Sequence, residues 1–408
     1  MDVFGYLAPY GLEWLNLLVR WLHIITGIAW IGASFYFVWL DNSLRPPAPG
    51  SDLEKKGVAG ELWAVHGGGF YNPQKYLVAP ARLPTELHWF KWEAYSTWLS
   101  GFALLFIVYY LNAQAMMIDR DVADLSSWQA VGIGLASLVV GWVVYDLLCR
   151  SKLGRHELAL GVVIFAFLVA SAYVLTHLLS GRAAYLHVGA MIGTIMVANV
   201  AMVIIPGQRK MVDAMRAGRK PDPVHGIKAK QRSVHNNYFT LPVLFLMISN
   251  HYAMTYRHQY SWAVLGVIMA AGVLIRHFFN LRHKGRIEWK YPAAGVGLLA
   301  ILAVVIAPSP PAAVAPGADN AAQFAQVRVI IEQRCVSCHS DRPTQPGFAT
   351  PPAGVMLQTP ELVGQNAARI YQQTVQLKAM PIANLTNMTD AERAQIGAWF
   401  EAGAPTPR

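Results

Sequence analysis

The chain has 408 residues, enough for two or three domains, but it is 54% hydrophobic and only 14% charged, too apolar for an ordinary soluble fold. A net charge of +10 invites a nucleic-acid partner, and its distribution excludes one. Beyond Pro308 seven Lys and Arg balance seven Asp and Glu, leaving 26 against 16 in the apolar part, where the excess sits in a few short loops as membrane topology requires.

Eight apolar stretches are long enough to cross a bilayer, which takes about 20 residues. They run near Leu15 to Leu40, Trp89 to Leu111, Trp128 to Cys149, Leu158 to Leu179, Ala184 to Pro206, Tyr238 to Tyr256, Trp262 to Phe279 and Tyr291 to Ile306. The first is too long for a cleaved signal peptide and is preceded by Asp2 and Glu13 rather than a basic region. Thirteen Trp and seventeen Tyr suit the boundary between hydrocarbon and headgroups. The loops after stretches one, three, five and seven are rich in Lys and Arg. Those after two, four and six carry only Arg120, Arg182 and Arg257. Short basic loops stay in the cytoplasm, so both termini are expected on the outer, periplasmic side of a bacterial inner membrane.

After stretch eight, APSPPAAVAPGA from Ala307 to Ala318 reads as a semi-rigid spacer. Beyond it Phe324, Val327 and Ile331 recur at helical spacing. A final helix opens on a capping box of Thr389 and Glu392, turns Ile396, Trp399 and Phe400 inward, and ends near Gly403. Between these helices stands Cys335-Val336-Ser337-Cys338-His339, the C-x-x-C-H of c-type haem attachment. Two thiols at this spacing reach both vinyl groups of one porphyrin, and the next imidazole is then placed under the iron. C-x-x-C alone would leave zinc or thiol redox chemistry open; the adjoining His and the helical context favour haem. Met380, followed by Pro381, is the candidate sixth ligand, with Met356 and Met388 as competitors. Three Cys exclude a disulfide framework, and Cys149 reads as a buried inert thiol. The expected fold is therefore all-α, with an eight-helix transmembrane domain over 1–306, a Pro/Ala-rich linker over 307–320 and a small class I-like cytochrome c domain over 321–408.

Ionisable residues inside spanning stretches are costly and by default functional. Here they are Arg20, His23, Glu93, Asp146, His177, His187, His251, Arg276 and His277. Two imidazoles on facing helices can hold a b-type haem, and His23 with His187 is the pair expected to do so. Trp21-Leu22-His23 and Tyr185-Leu186-His187 hint at a repeat of four helices. The segment VRWLHIITGIAWIGASFYF around His23 also resembles the first helix of small haem-b membrane proteins of the copper-resistance and protoporphyrinogen-oxidase kind, where the matching His binds haem. A His satisfied by a neighbouring carbonyl is the alternative.

The stretch Trp63 to Tyr71, WAVHGGGFY, could expose consecutive N–H groups of Gly67, Gly68 and Gly69 to an anion. With His66, Lys91 and Glu93 it forms a candidate site for a flat, negatively charged substrate. An interfacial loop, whose glycines permit turns and whose cations set topology, is the competing reading.

In that order, GLEWLNLLVRWLHIITGIAWIGASFYFVWLDNSL, WAVHGGGFY, HWFKWEAYSTW, CVSCH and KAMPIANLTNMTDAER make the chain resemble the membrane-bound, cytochrome c-linked urate oxidases, or urate hydroxylases, of bacterial purine catabolism. The resemblance covers nearly the whole length. It implies an oxidoreductase that converts urate to 5-hydroxyisourate with oxygen from water. Electrons would pass to the attached haem and on to a respiratory acceptor, without hydrogen peroxide. A non-catalytic conduit from quinol to the cytochrome is the alternative.

Overall fold

The computed structural model describes residues 3–76, 78–307, 320–346, 348 and 350–406, and it is mostly helical. The linker expected over 307–320 lies almost wholly outside the described residues. Helix α1 (Val3–Ser43) is followed by the single turn α2 (Asp52–Lys55) and four short strands, β1 (Val58–Glu61), β2 (Ala64–His66), β3 (Gly69–Tyr71) and β4 (Gln74–Tyr76). β1 pairs antiparallel with β4 and β2 with β3. The expectation of a wholly α fold is corrected to this extent. Gly67 and Gly68 have φ of 57° and 79°, and His66 pairs with Gly69. Two consecutive left-handed residues between paired strands make a type I′ hairpin turn, which glycine enters without steric cost.

Helix α3 (Trp92–Leu104) runs on through a π-helical turn (Leu105–Tyr110) to the short α4 (Ala113–Met116). Then come α5 (Ser127–Arg150), α6 (Glu157–Thr176) and α7 (Gly181–Ala198), which continues through a π turn (Asn199–Ile204) into α8 (Ile205–Arg216). Helix α9 (Pro223–Ile248) is followed by α10 (Ala253–Tyr256), α11 (Ser261–His283) and α12 (Lys290–Val305).

Among the described residues, five helices are long and apolar enough to cross a membrane: Tyr10–Ser43, Ser127–Arg150, Glu157–Thr176, Gly181–Arg216 and Ser261–His283. They match stretches one, three, four, five and seven. The other three stretches fold differently from simple spans. In stretch two α3 has 13 residues before its π turn, stretch six ends as α9 gives way to a 3₁₀ turn at Ser249, and α12 has 16 residues. The basic segment after stretch five is not an extended loop: α8 and α9 take up most of it, capped at Asp222, whose side chain accepts from the Val224 N–H.

Helix α7 is the hub of the bundle, packed against α3, α5, α6 and α9, and most of its side chains are buried. Small residues permit this closeness, as lipid-embedded helices require in the absence of a hydrophobic drive between them. A Cβ placed on Gly141 would lie 2.2 Å from Met191 Cγ, and one on Gly189 would lie 2.8 Å from Leu246 Cβ. Helices α1, α9 and α11 pack against one another beside this hub.

A second core, of Phe324, Val327, Ile331, Cys335, Met388, Ile396 and Trp399 among others, joins α13 (Asn320–Arg334), α14 (Pro360–Gln365), α15 (Ala367–Tyr371) and α16 (Asp390–Glu401). The Thr389/Glu392 capping box of α16 is formed in both directions.

Candidate functional site

The C-x-x-C-H residues sit where α13 ends. The amides of Cys338 and His339 both donate to the Cys335 carbonyl, at 3.1 and 2.9 Å, and this tight turn brings both sulfurs and the imidazole to one place. His339 Nδ1 lies 3.0 Å from the Val355 carbonyl oxygen. A carbonyl only accepts, so Nδ1 carries the proton and Nε2 presents its lone pair. The Leu357 amide donates to the His339 carbonyl at 2.8 Å, so the same loop fixes the residue at both ends. This is the orientation an axial ligand needs, and the donor set fits a c-type haem. Burial, with the Cys338 sulfur beside it, pushes the Cys335 thiol up to about 12. A thiol so reluctant to ionise is poorly suited to disulfide exchange.

Met380 lies on the loop before α16, joined to Pro381 by a cis peptide. Its amide donates to Gln373 O at 3.0 Å. Its carbonyl accepts from Arg393 Nη1 at 2.7 Å, and the same nitrogen donates to Thr374 O at 2.5 Å. Arg393 is buried, so a guanidinium on α16 holds this loop in place. Of the competitors, Met388 is buried in the second core beneath the loop, and Met356 stays partly exposed next to Val355.

The Met380 loop also touches the large helical bundle. Ala379 joins the apolar cluster of the bundle, and the turn at Ile382–Asn384 packs on α4. Facing them are Met116, Arg182, Tyr256 and Arg257, of which Arg257 pairs with buried Asp119 at 3.0 Å.

The structure sets His23 and His187 against different helices, with no shared hydrogen-bonding partner. His23 Nδ1 lies 3.1 Å from both the Thr97 carbonyl and the Ser100 hydroxyl, over Gly101 of α3. His187 is fully buried, with Nδ1 2.8 Å from Ala183 O and Nε2 3.3 Å from the Tyr110 hydroxyl, over Gly134 of α5. In each a carbonyl holds Nδ1, as in many metal-ligating histidines, but the Nε2 of His187 is already engaged by the Tyr110 hydroxyl.

His66, Lys91 and Glu93 are not brought together. His66 is exposed at the hairpin tip, Lys91 precedes α3 with its ammonium 5.8 Å from the Trp92 ring, and the Glu93 carboxylate makes no hydrogen bond or ion pair among the described residues, although its carbonyl accepts from the Thr97 hydroxyl at 2.6 Å. Gly67 and Gly68 make the turn and Gly69 opens β3, and Trp63, Val65, Phe70 and Tyr71 around them are all more than half exposed. This hairpin has the character of an interfacial anchor.

Two buried polar networks occupy the end of the bundle that carries the hairpins. In the first, Arg232 pairs with Asp146 at 2.7 Å and lies 3.4 Å from Asn199 Oδ1. Asn199 Nδ2 reaches Asn236 Oδ1 at 2.8 Å and the Tyr145 hydroxyl at 2.9 Å, and that hydroxyl meets His235 Nδ1 at 2.8 Å. Asn199 opens the π turn of the hub helix, and π turns recur at functional positions. In the second, Arg276 Nε donates to Asn237 Oδ1 at 2.6 Å, and Asn237 Nδ2 donates to Asn280 Oδ1 at 3.0 Å. Adjacent residues of α9, Asn236 and Asn237, serve the two networks.

A family model described as urate oxidase N-terminal matches residues 9–307, most of the chain. The chain belongs to the urate oxidase N-terminal family. That membership ties it to a urate-related role and to oxidoreductase chemistry. The match covers the bundle and stops short of Cys335. No curated protein and no solved structure matches the chain.

For a member of the urate oxidase N-terminal family, the two polar networks hold the residues that motif reading passed over. Asp146 and Arg276 are visible as ionisable residues in apolar stretches. Asn199, Asn236, Asn237 and Asn280 carry no such signal, and only the fold assembles them. Among the described residues no three His, Cys, Asp or Glu side chains converge as a conventional metal centre would need. Haem, held by thioethers and one or two axial ligands, does not require such a cluster.

Proposed function

We propose that this protein oxidises urate to 5-hydroxyisourate at the inner membrane. Urate and water give 5-hydroxyisourate, two protons and two electrons; the oxygen comes from water, and no hydrogen peroxide forms. The observation that carries the reading is the family match over residues 9–307, in the same chain as a C-x-x-C-H turn whose His339 is held through Nδ1 by the Val355 carbonyl. Cys335 and Cys338 would hold a c-type haem by thioethers, with His339 and Met380 as axial ligands. When bound, that group supplies one-electron transfer toward a respiratory acceptor. Arg393 positions Met380, and the Val355 carbonyl sets the His339 tautomer. In the bundle, His23 and His187 are the residues that would ligate a b-type haem, His187 by exchanging its Tyr110 contact for the iron. Both termini face the periplasm in this reading, and the hairpins and buried networks face the cytoplasm, where urate is made.

The test uses membranes carrying the oxidised protein, without oxygen. Urate added to them reduces the c-type haem band of the wild type and leaves a His339→Ala control without that response. Reduction by quinol but never by urate would replace the oxidase with an electron conduit.

A further inference from the structure

Arg232 and Arg276 are both buried in the bundle, and only one of them has a counter-ion. Arg232 has Asp146 at 2.7 Å. Arg276, 5% exposed, has no carboxylate within ion-pair distance among the described residues. Its Nε is held by Asn237, its guanidinium lies over the Phe35 ring at 4.1 Å, and its Nη2 is buried without a partner. A guanidinium does not shed its proton to escape this situation, and an uncompensated buried charge is strongly destabilising. The fold has left a cation waiting for an anion.

A second orphaned atom points to the same place. His283 Nδ1 is also buried without a partner. Arg276, Asn280 and His283 recur at i, i+4 and i+7, which puts them on one face of α11. Asn237 lies on α9 and Phe35 on α1, and these three helices pack against one another. Arg276 stands seven residues in from the end of α11, about 10 Å at 1.5 Å per residue, with His283 nearer the basic end of the bundle.

We propose that the α1–α9–α11 seam is the urate receptor, with Arg276 pairing to the purine anion. The proposal rests on the urate reading and deepens it. The chemistry selects a planar anion: a guanidinium presents coplanar N–H groups in a rigid fork that matches two adjacent acceptors on a flat ring. Phe35 covers one face of that fork, Asn237 fixes its plane, and the unpartnered His283 Nδ1 lies about two turns along the same face of α11. A lipid phosphate is the rival source of the anion.

The test measures urate affinity by equilibrium dialysis and urate-driven haem reduction on the full-length, haem-loaded protein in detergent. Arg276→Gln raises the Kd for urate about ten- to a hundred-fold, the loss expected for a charged hydrogen bond, and Arg276→Lys falls between it and the wild type. Asn237→Asp places a carboxylate beside Arg276 and weakens urate binding, and it still folds because Asn280 can turn its amide to donate in place of Asn237 Nδ2. This variant decides the matter if Arg276→Gln does not fold. A purely structural Arg276 would leave the Kd of Asn237→Asp unchanged, and that result overturns the site while the wild type still responds to urate. Loss of stability on delipidation, with wild-type urate affinity in Arg276→Gln, assigns the anion to lipid and overturns it too. A wild type that neither binds urate nor is reduced by it removes the urate reading and this site together.

Discussion

At the scale of single residues the decisive geometry is a hydrogen bond that fixes a tautomer. His339 is legible in the sequence as the last residue of C-x-x-C-H, but its orientation depends on Val355, 16 residues away, whose carbonyl no motif reveals. Met380 is similar: the Met-Pro pair suggests a loop against the haem, whereas the clamp by Arg393 comes from a helix whose pattern advertises only its apolar face. Replacing Met380 by Leu is expected to lower the haem reduction potential in a spectroscopic redox titration, because Met/His ligation raises it. The same fall in Met356→Leu, and not in Met380→Leu, would transfer the assignment to Met356. Glu392 gives a pH prediction. Burial raises its carboxyl, yet the Thr389 amide, the Arg334 guanidinium and the Thr389 hydroxyl outweigh that and hold it below its ordinary value. A carboxyl depressed on folding contributes stability that is complete above its unfolded pKa, about 4.3, and lost as the pH falls through the folded value. Acid unfolding followed on the C-terminal helices should therefore steepen below about pH 4.3. Glu392→Gln should flatten that slope, and an unaltered slope would show that the capping box carries none of it.

At the scale of elements, hydropathy locates helices well and their ends poorly. Stretches one, three, four, five and seven emerge as helices long and apolar enough to span. The π turn at Leu105 carries no Pro or Gly within it, whereas the one at Asn199–Ile204 ends just before Pro206, which cannot donate to the i→i−4 ladder. The hairpin is a different case. Its two-residue glycine turn between Ala64-Val65-His66 and Gly69-Phe70-Tyr71 is the short-range signal for a type I′ hairpin. With Gly67 and Gly68 at the turn and the strands paired on either side, this stretch matches the interfacial-loop reading rather than an anion nest. Close helix packing is testable at Gly141. A side chain there collides with Met191, so Gly141→Leu is expected to cost about 1–3 kcal/mol through overpacking, seen as a lower midpoint in thermal or denaturant unfolding. A wild-type midpoint would mean that α5 and α7 separate without cost.

At the scale of the whole molecule, two apolar cores meet through the loop that carries Met380. The large bundle supplies the family match, and the small helical core supplies the C-x-x-C-H turn. Composition predicts both, because a run of hydrophobic stretches followed by a charge-balanced tail is visible without any structure. Their meeting at Ala379 is not visible, since it depends on surfaces more than a hundred residues apart. Nor is the concentration of buried Asn and Arg at one end of the bundle, because amides are common in loops and acquire meaning only when helices bury them. One consequence concerns the order of assembly. Cys335 is 8% exposed and forms part of the second core, among Phe324, Ile331 and Trp399. A reagent that is to reach this sulfur has to arrive before α13 and α16 close, so the thiol is open to chemistry only on a chain that has not finished folding.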